Sequence, residues 1–176
     1  CGSDKLLDYK SGSGAGTPLA DLLFSFLMAR VLRCISSELH DRSLTFSYEC
    51  PNNILTEYNG VFECEGGSYI DDCFDFFADS IASLCLDNAR TAIGIIIDMF
   101  SLHGLIVNFG KGKTEICLNL KGSESKDLYV DILDAGGFLV PNRIYGVSKI
   151  NVVSRYKHVG SLHPNKASGI PEAKHR

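Results

Sequence analysis

The chain has 176 residues, enough for one domain with a core of its own. Its 45% hydrophobic and 22% charged residues exclude a disordered chain, and no apolar run reaches the ~20 residues of a membrane span. The net charge of −4 excludes a uniformly basic surface, yet the signs are unevenly spread: acids crowd the middle from Asp71 to Asp98, while Lys149, Arg155, Lys157, Lys166, Lys174 and Arg176 near the end face one acid, Glu172. That distribution fits a metal site beside a phosphate-binding surface, and equally a solvated tail.

Residues 1–15 read as a loop, ending in the glycine-rich run Ser11-Gly12-Ser13-Gly14-Ala15-Gly16, which suits either a flexible linker or a close backbone approach. Thr17-Pro18 then opens a helix: Thr is a good N-cap, Pro suits the first helical position, and Asp21 falls in the first turn. Leu19, Leu22, Leu23, Phe26, Leu27, Val31, Cys34 and Ile35 follow helical spacing, so the helix is predicted to run to about Leu39. Leu44, Phe46, Tyr48 and Cys50 alternate with polar residues as in a half-buried strand, broken by Pro51-Asn52-Asn53. A short extended piece is expected over Val61–Cys64, before Gly66-Gly67.

The next stretch carries the chemistry. Tyr69 and Ile70 precede the pair Asp71-Asp72, and Cys73, Phe74, Phe76, Phe77 and Ala78 follow it, which predicts a β-hairpin over Tyr69–Ala78 with both carboxylates at its turn. Neighbouring carboxylates repel by about 1 kcal/mol at 4 Å in water and by more at lower dielectric. An apolar hairpin with such a pair at its mouth suits a hard cation, Mg²⁺ or Mn²⁺. Asp-Asp is also a common turn pair with no ligand at all.

Asp79 and Ser80 can cap a second helix, with Ile81, Leu84, Cys85, Ala89, Ala92, Ile93, Ile96, Ile97 and Phe100 on its buried face and Gly104 at its end. Leu105-Ile106-Val107 reads as a strand. After Gly110-Lys111-Gly112, a further strand places Ile116, Leu118 and Leu120 on one face and Glu115, Cys117 and Asn119 on the other. Residues 121–150 suggest a loop and one or two strands, and Val152–Gly160 another extended piece before a polar tail. Strand runs interrupted by long helices predict an α+β domain, an antiparallel sheet with two helices packed on one face.

The seven cysteines, Cys1, Cys34, Cys50, Cys64, Cys73, Cys85 and Cys117, are odd in number and show no Cys-x-x-Cys spacing, and the five histidines make no ligand cluster with them. Reduced, mostly buried thiols are expected rather than a zinc site. No basic start followed by an apolar segment is present, so we expect an intracellular protein, cytoplasmic or nuclear, with no membrane association. Cys1 in place of Met leads us to expect a piece of a longer protein.

Four segments, in order, resemble the palm of a reverse transcriptase of the kind carried by non-LTR retroelements. Gly16-Thr17-Pro18-Leu19-Ala20-Asp21-Leu22-Leu23-Phe24 is similar to the family's Gly-x-Pro-Leu-Ser-Pro-Leu-Leu-Phe, with Ala20 and Asp21 where Ser and Pro are usual. Tyr69-Ile70-Asp71-Asp72 resembles its Tyr-x-Asp-Asp catalytic hairpin, though Cys73 and Asp75 interrupt what is usually an apolar strand. His103-Gly104-Leu105 through Asn108, with Lys113-Thr114-Glu115, resembles Gly-Leu-x-x-Asn-x-x-Lys-Thr, and Tyr156-Lys157-His158-Val159-Gly160 resembles the Tyr-Lys-Tyr-Leu-Gly strand that leads into the thumb. The resemblance covers about residues 14 to 162. It implies a truncated start over 1–15, a partial palm over 16–150, and the start of the thumb with a loose basic tail over 151–176, without the fingers or the first catalytic strand.

The same resemblance implies RNA- or DNA-templated addition of deoxynucleotides, from deoxynucleoside triphosphates with release of pyrophosphate, to a primer 3′-hydroxyl by two-metal phosphoryl transfer. Asp71 would be the main metal ligand and Asp72 a supporting one. Lys113 would steady or protonate the leaving pyrophosphate, or else be a solvated lysine after a turn. Gly16, Thr17 and Pro18 would shape the wall beside the incoming base, and Tyr69 would lie near the primer end. This chain alone is expected to be inactive. Two other readings stand beside this one: a non-catalytic nucleic-acid-binding remnant, and an unrelated Mg²⁺-dependent phosphohydrolase, for which further ligands are not evident.

Overall fold

The computed structural model describes residues 18–50, 60–64, 67–69, 72–75, 77–158 and 161–164. Within them the chain runs α1 (Pro18–Asp41), β1 (Phe46–Cys50), β2 (Gly60–Cys64), β3 (Gly67–Tyr69), β4 (Asp72–Phe74), α2 (Ala82–Leu102), β5 (Glu115–Cys117), α3 (Ser125–Asp134), β6 (Phe138–Asn142), β7 (Gly146–Val153), β8 (Arg155–His158) and β9 (Ser161–Pro164).

The α2 helix is apolar on two sides, and that makes it the centre of the molecule. One side sends Leu86, Ala89 and Ile97 into a core with Leu118, Ile132, Phe138, Val140 and Ile150. The other places Ala92 against Val31, Ile35 and Leu39 of α1, spaced one turn apart so that they form a single line. Phe77, on the segment entering α2, packs against both clusters. Fully burying one such aliphatic or aromatic side chain stabilises by about 1.5–3 kcal/mol, so this stack dominates the fold's energetics. The approach is close at Gly94, where a Cβ would overlap the carbonyl oxygen of Pro141 in β6.

Both long helices end by reversing the backbone, α2 at the Gly104 that the sequence points to. At the end of α2, the Leu105 N–H donates to Phe100 O at 2.9 Å and Gly104 N–H to Ser101 O at 3.0 Å, with Gly104 at φ 77°. The α1 terminus has the same pattern, Leu44 N–H to Leu39 O and Ser43 N–H to His40 O, both at 2.9 Å, but with Ser43 holding the left-handed position at φ 55°.

The α+β mixture is present, with differences from the predicted sheet and helix count. Three helices are found among the described residues, not two, because α3 occupies part of the region read as loop and strands. The largest sheet is mixed rather than antiparallel: its order is β5-β7-β6, with β7 antiparallel to β6 and parallel to β5. The Asn142–Gly146 turn folds β7 back on β6, and β7 then lies between β6 and β5. The remaining ladders, β1-β2, β3-β4 and β8-β9, are separate pairs. Leu105–Val107 alternates in burial, with Ile106 83% exposed between two half-buried neighbours, but among the described residues no strand pairs with it. The strand predicted through Leu120 keeps its ladder only over β5, while Leu118 and Leu120 still pack on the core.

Candidate functional site

The acidic stretch forms a ribbon. β3 and β4 pair antiparallel, with Gly67 opposite Phe74, Ser68 opposite Cys73 and Tyr69 opposite Asp72. Two residues, Ile70 and Asp71, separate Tyr69 from Asp72 in sequence, the spacing of a short hairpin connection. Both lie outside the described residues. Asp72 is the first residue of β4 rather than part of a turn, and the ladder ends at Phe74 rather than extending to Ala78. Cys73, the middle residue of β4, is half-buried.

Asp75 follows the ribbon directly, flanked in sequence by Phe74, Phe76 and Phe77. Much of the residue is exposed, yet enough protein surrounds its carboxyl to strip water from it, and this desolvation raises its pKa from 3.8 to about 6. Burial also pushes up the Cys85 thiol, with the Asp79 charge adding to it, and Cys85 Sγ donates to Phe77 O at 3.7 Å. Cys85 therefore ties the exit of the ribbon to α2 and stays a thiol rather than a nucleophilic thiolate. Cys34, Cys73, Cys85 and Cys117 are in no disulfide; Cys34, Cys73 and Cys85 are half-buried, while Cys117 is exposed, its thiol pushed up by partial burial and by Glu115.

Asp79, expected to cap α2, stands three residues before its first helical turn. Its Oδ1 accepts from Ile81 N–H at 3.0 Å, and Ile81 itself carries no side-chain cap. Here Ser43, Thr45, Phe77, Asp79, Cys85 and Asn88 border a cavity of about 120 Å³. Pockets that enclose drug-sized ligands run from about 300 Å³ upward, so this one is too small for a nucleotide.

The other predicted site residues are dispersed. Pro18 is the exposed first residue of α1, as expected; Gly16 and Thr17 lie outside the described residues. Lys113 is exposed on the compact loop that enters β5. There Lys113 N–H donates to Gly110 O at 3.1 Å, Thr114 N–H to Asn108 O at 3.0 Å, and Gly112 N–H to Glu115 Oε1 at 2.8 Å. The structure thus brings Tyr69 and Asp72 together by strand pairing, with Lys113 on a different element. Among the described residues no cluster of three or more His, Cys, Asp or Glu side chains could hold a metal ion, and no helix is long and apolar enough to cross a membrane.

Asp98 has a role that its position hides in the sequence. It is the one charge in the Ala92–Phe100 run, and its carboxylate accepts the N–H groups of Arg143 (3.0 and 3.1 Å) and Ile144 (3.2 Å), fixing the β6–β7 turn to α2. Its partners lie 45 and 46 residues away, beyond the reach of any local pattern.

The chain matches no family model, no curated protein and no solved structure.

Proposed function

We propose that this chain is part of a reverse-transcriptase-type palm and that, in the longer protein, it serves templated addition of deoxynucleotides to a primer on RNA or DNA. The observation that supports the reading is the antiparallel pairing of β3 with β4, with Tyr69 opposite Asp72. The four ordered sequence segments and the α+β composition support it.

Carboxylates at a ribbon end are hard oxygen donors that suit Mg²⁺ or Mn²⁺, and Asp71 and Asp72 would hold the cations. When bound, the metal pair would supply activation of the attacking 3′-hydroxyl and neutralisation of charge on the triphosphate. Asp71 would be the principal ligand and Asp72 its support. Lys113 is suited by its charge to the leaving pyrophosphate, Tyr69 to the primer end, and Gly16, Thr17 and Pro18 to the wall beside the incoming base.

The test is primer extension by the longer protein carrying these residues, with Asp71→Asn as the variant. Loss of a metal-ligand charge is expected to lower extension by at least about 10³-fold, several kcal/mol of transition-state stabilisation, with template–primer binding retained within a few-fold. Extension at near the unsubstituted rate would overturn the assignment. Binding without extension by the unsubstituted protein would favour a non-catalytic nucleic-acid-binding remnant.

A further inference from the structure

We draw no further inference here: the strongest candidate, the exposed stripe of Leu19, Leu22, Leu23 and Phe26 along the N-terminal half of α1, is an unpartnered apolar helix face, and nothing in the structure shows what covers it.

Discussion

Two hairpins of this molecule differ in everything but their antiparallel pairing. β6 and β7 pair at five positions, from Phe138 opposite Ile150 to Asn142 opposite Gly146, with α2 packed against β6 and Asp98 holding the turn. β3 and β4 pair at three positions in a sheet of their own. An isolated two-stranded ribbon is marginal in water, and among the described residues the segment leaving the acidic ribbon is anchored by Phe77, wedged between both cores, and by Cys85, bonded to the Phe77 carbonyl. Stability therefore resides around α2, and the candidate chemistry sits on a short ribbon tethered to it. Substitutions should separate the two.

The largest expected effect is on the core side. Phe138 is fully buried, and the Arg90 guanidinium lies 5.1 Å from its ring centroid. Phe138→Ala is expected to lower the unfolding free energy by about 3–5 kcal/mol through lost burial and an unfilled cavity, read from urea denaturation. A cost below about 1 kcal/mol would mean that the β6–β7 hairpin does not carry the core.

Removing the clamp on the same hairpin should have a smaller effect. Asp98→Ala leaves the Arg143 and Ile144 N–H groups without their carboxylate acceptor, and about 1–3 kcal/mol of destabilisation is expected. Amide hydrogen exchange should accelerate most at those two residues. Unchanged exchange there would remove Asp98 from its role.

The smallest effect belongs to the ribbon side and depends on pH. The Asp75 pKa is raised in the folded chain, so between pH 3.8 and about 6 the folded state keeps a proton that the unfolded state has released. Its contribution is fully present below pH 3.8 and is lost as pH rises through about 6. Solvent around this exposed residue keeps the effect modest. Asp75→Asn should flatten that part of the stability–pH curve, measured as the denaturation midpoint at about pH 4.5 and about pH 7. A variant with the same slope as the parent would show that the carboxyl is not desolvated.

The sequence makes the two long helices legible because each repeats its apolar spacing over several turns; the end of α2 is marked by Gly104, whereas the reversal of α1 at Ser43 carries no such signal. α3 is hidden by its length: of its ten residues Ile132 alone is fully buried, too little for a helical period to stand out. Leu105–Val107 shows the alternation of a strand because its side chains do alternate between core and solvent, but a ladder needs a neighbour that no local pattern supplies. The mixed order β5-β7-β6 is likewise a choice between distant segments. At the site, the hairpin is legible from acids set between apolar runs. The place of Asp72 inside the strand depends on register, and the raised pKa of Asp75 on three-dimensional crowding.

The most direct test of the claim that the acidic ribbon is a cation-binding end is a Mn²⁺ titration of residues 1–176 followed by paramagnetic broadening of backbone amides. Two carboxylates without further ligands should bind weakly, which this measurement tolerates. Broadening is expected first at Tyr69, Asp72 and Cys73, with Leu86, Phe138 and Ile150 left sharp, and Asp71→Asn should weaken it about tenfold through the lost ligand charge. Broadening that starts elsewhere, or that Asp71→Asn leaves unchanged, would contradict the account.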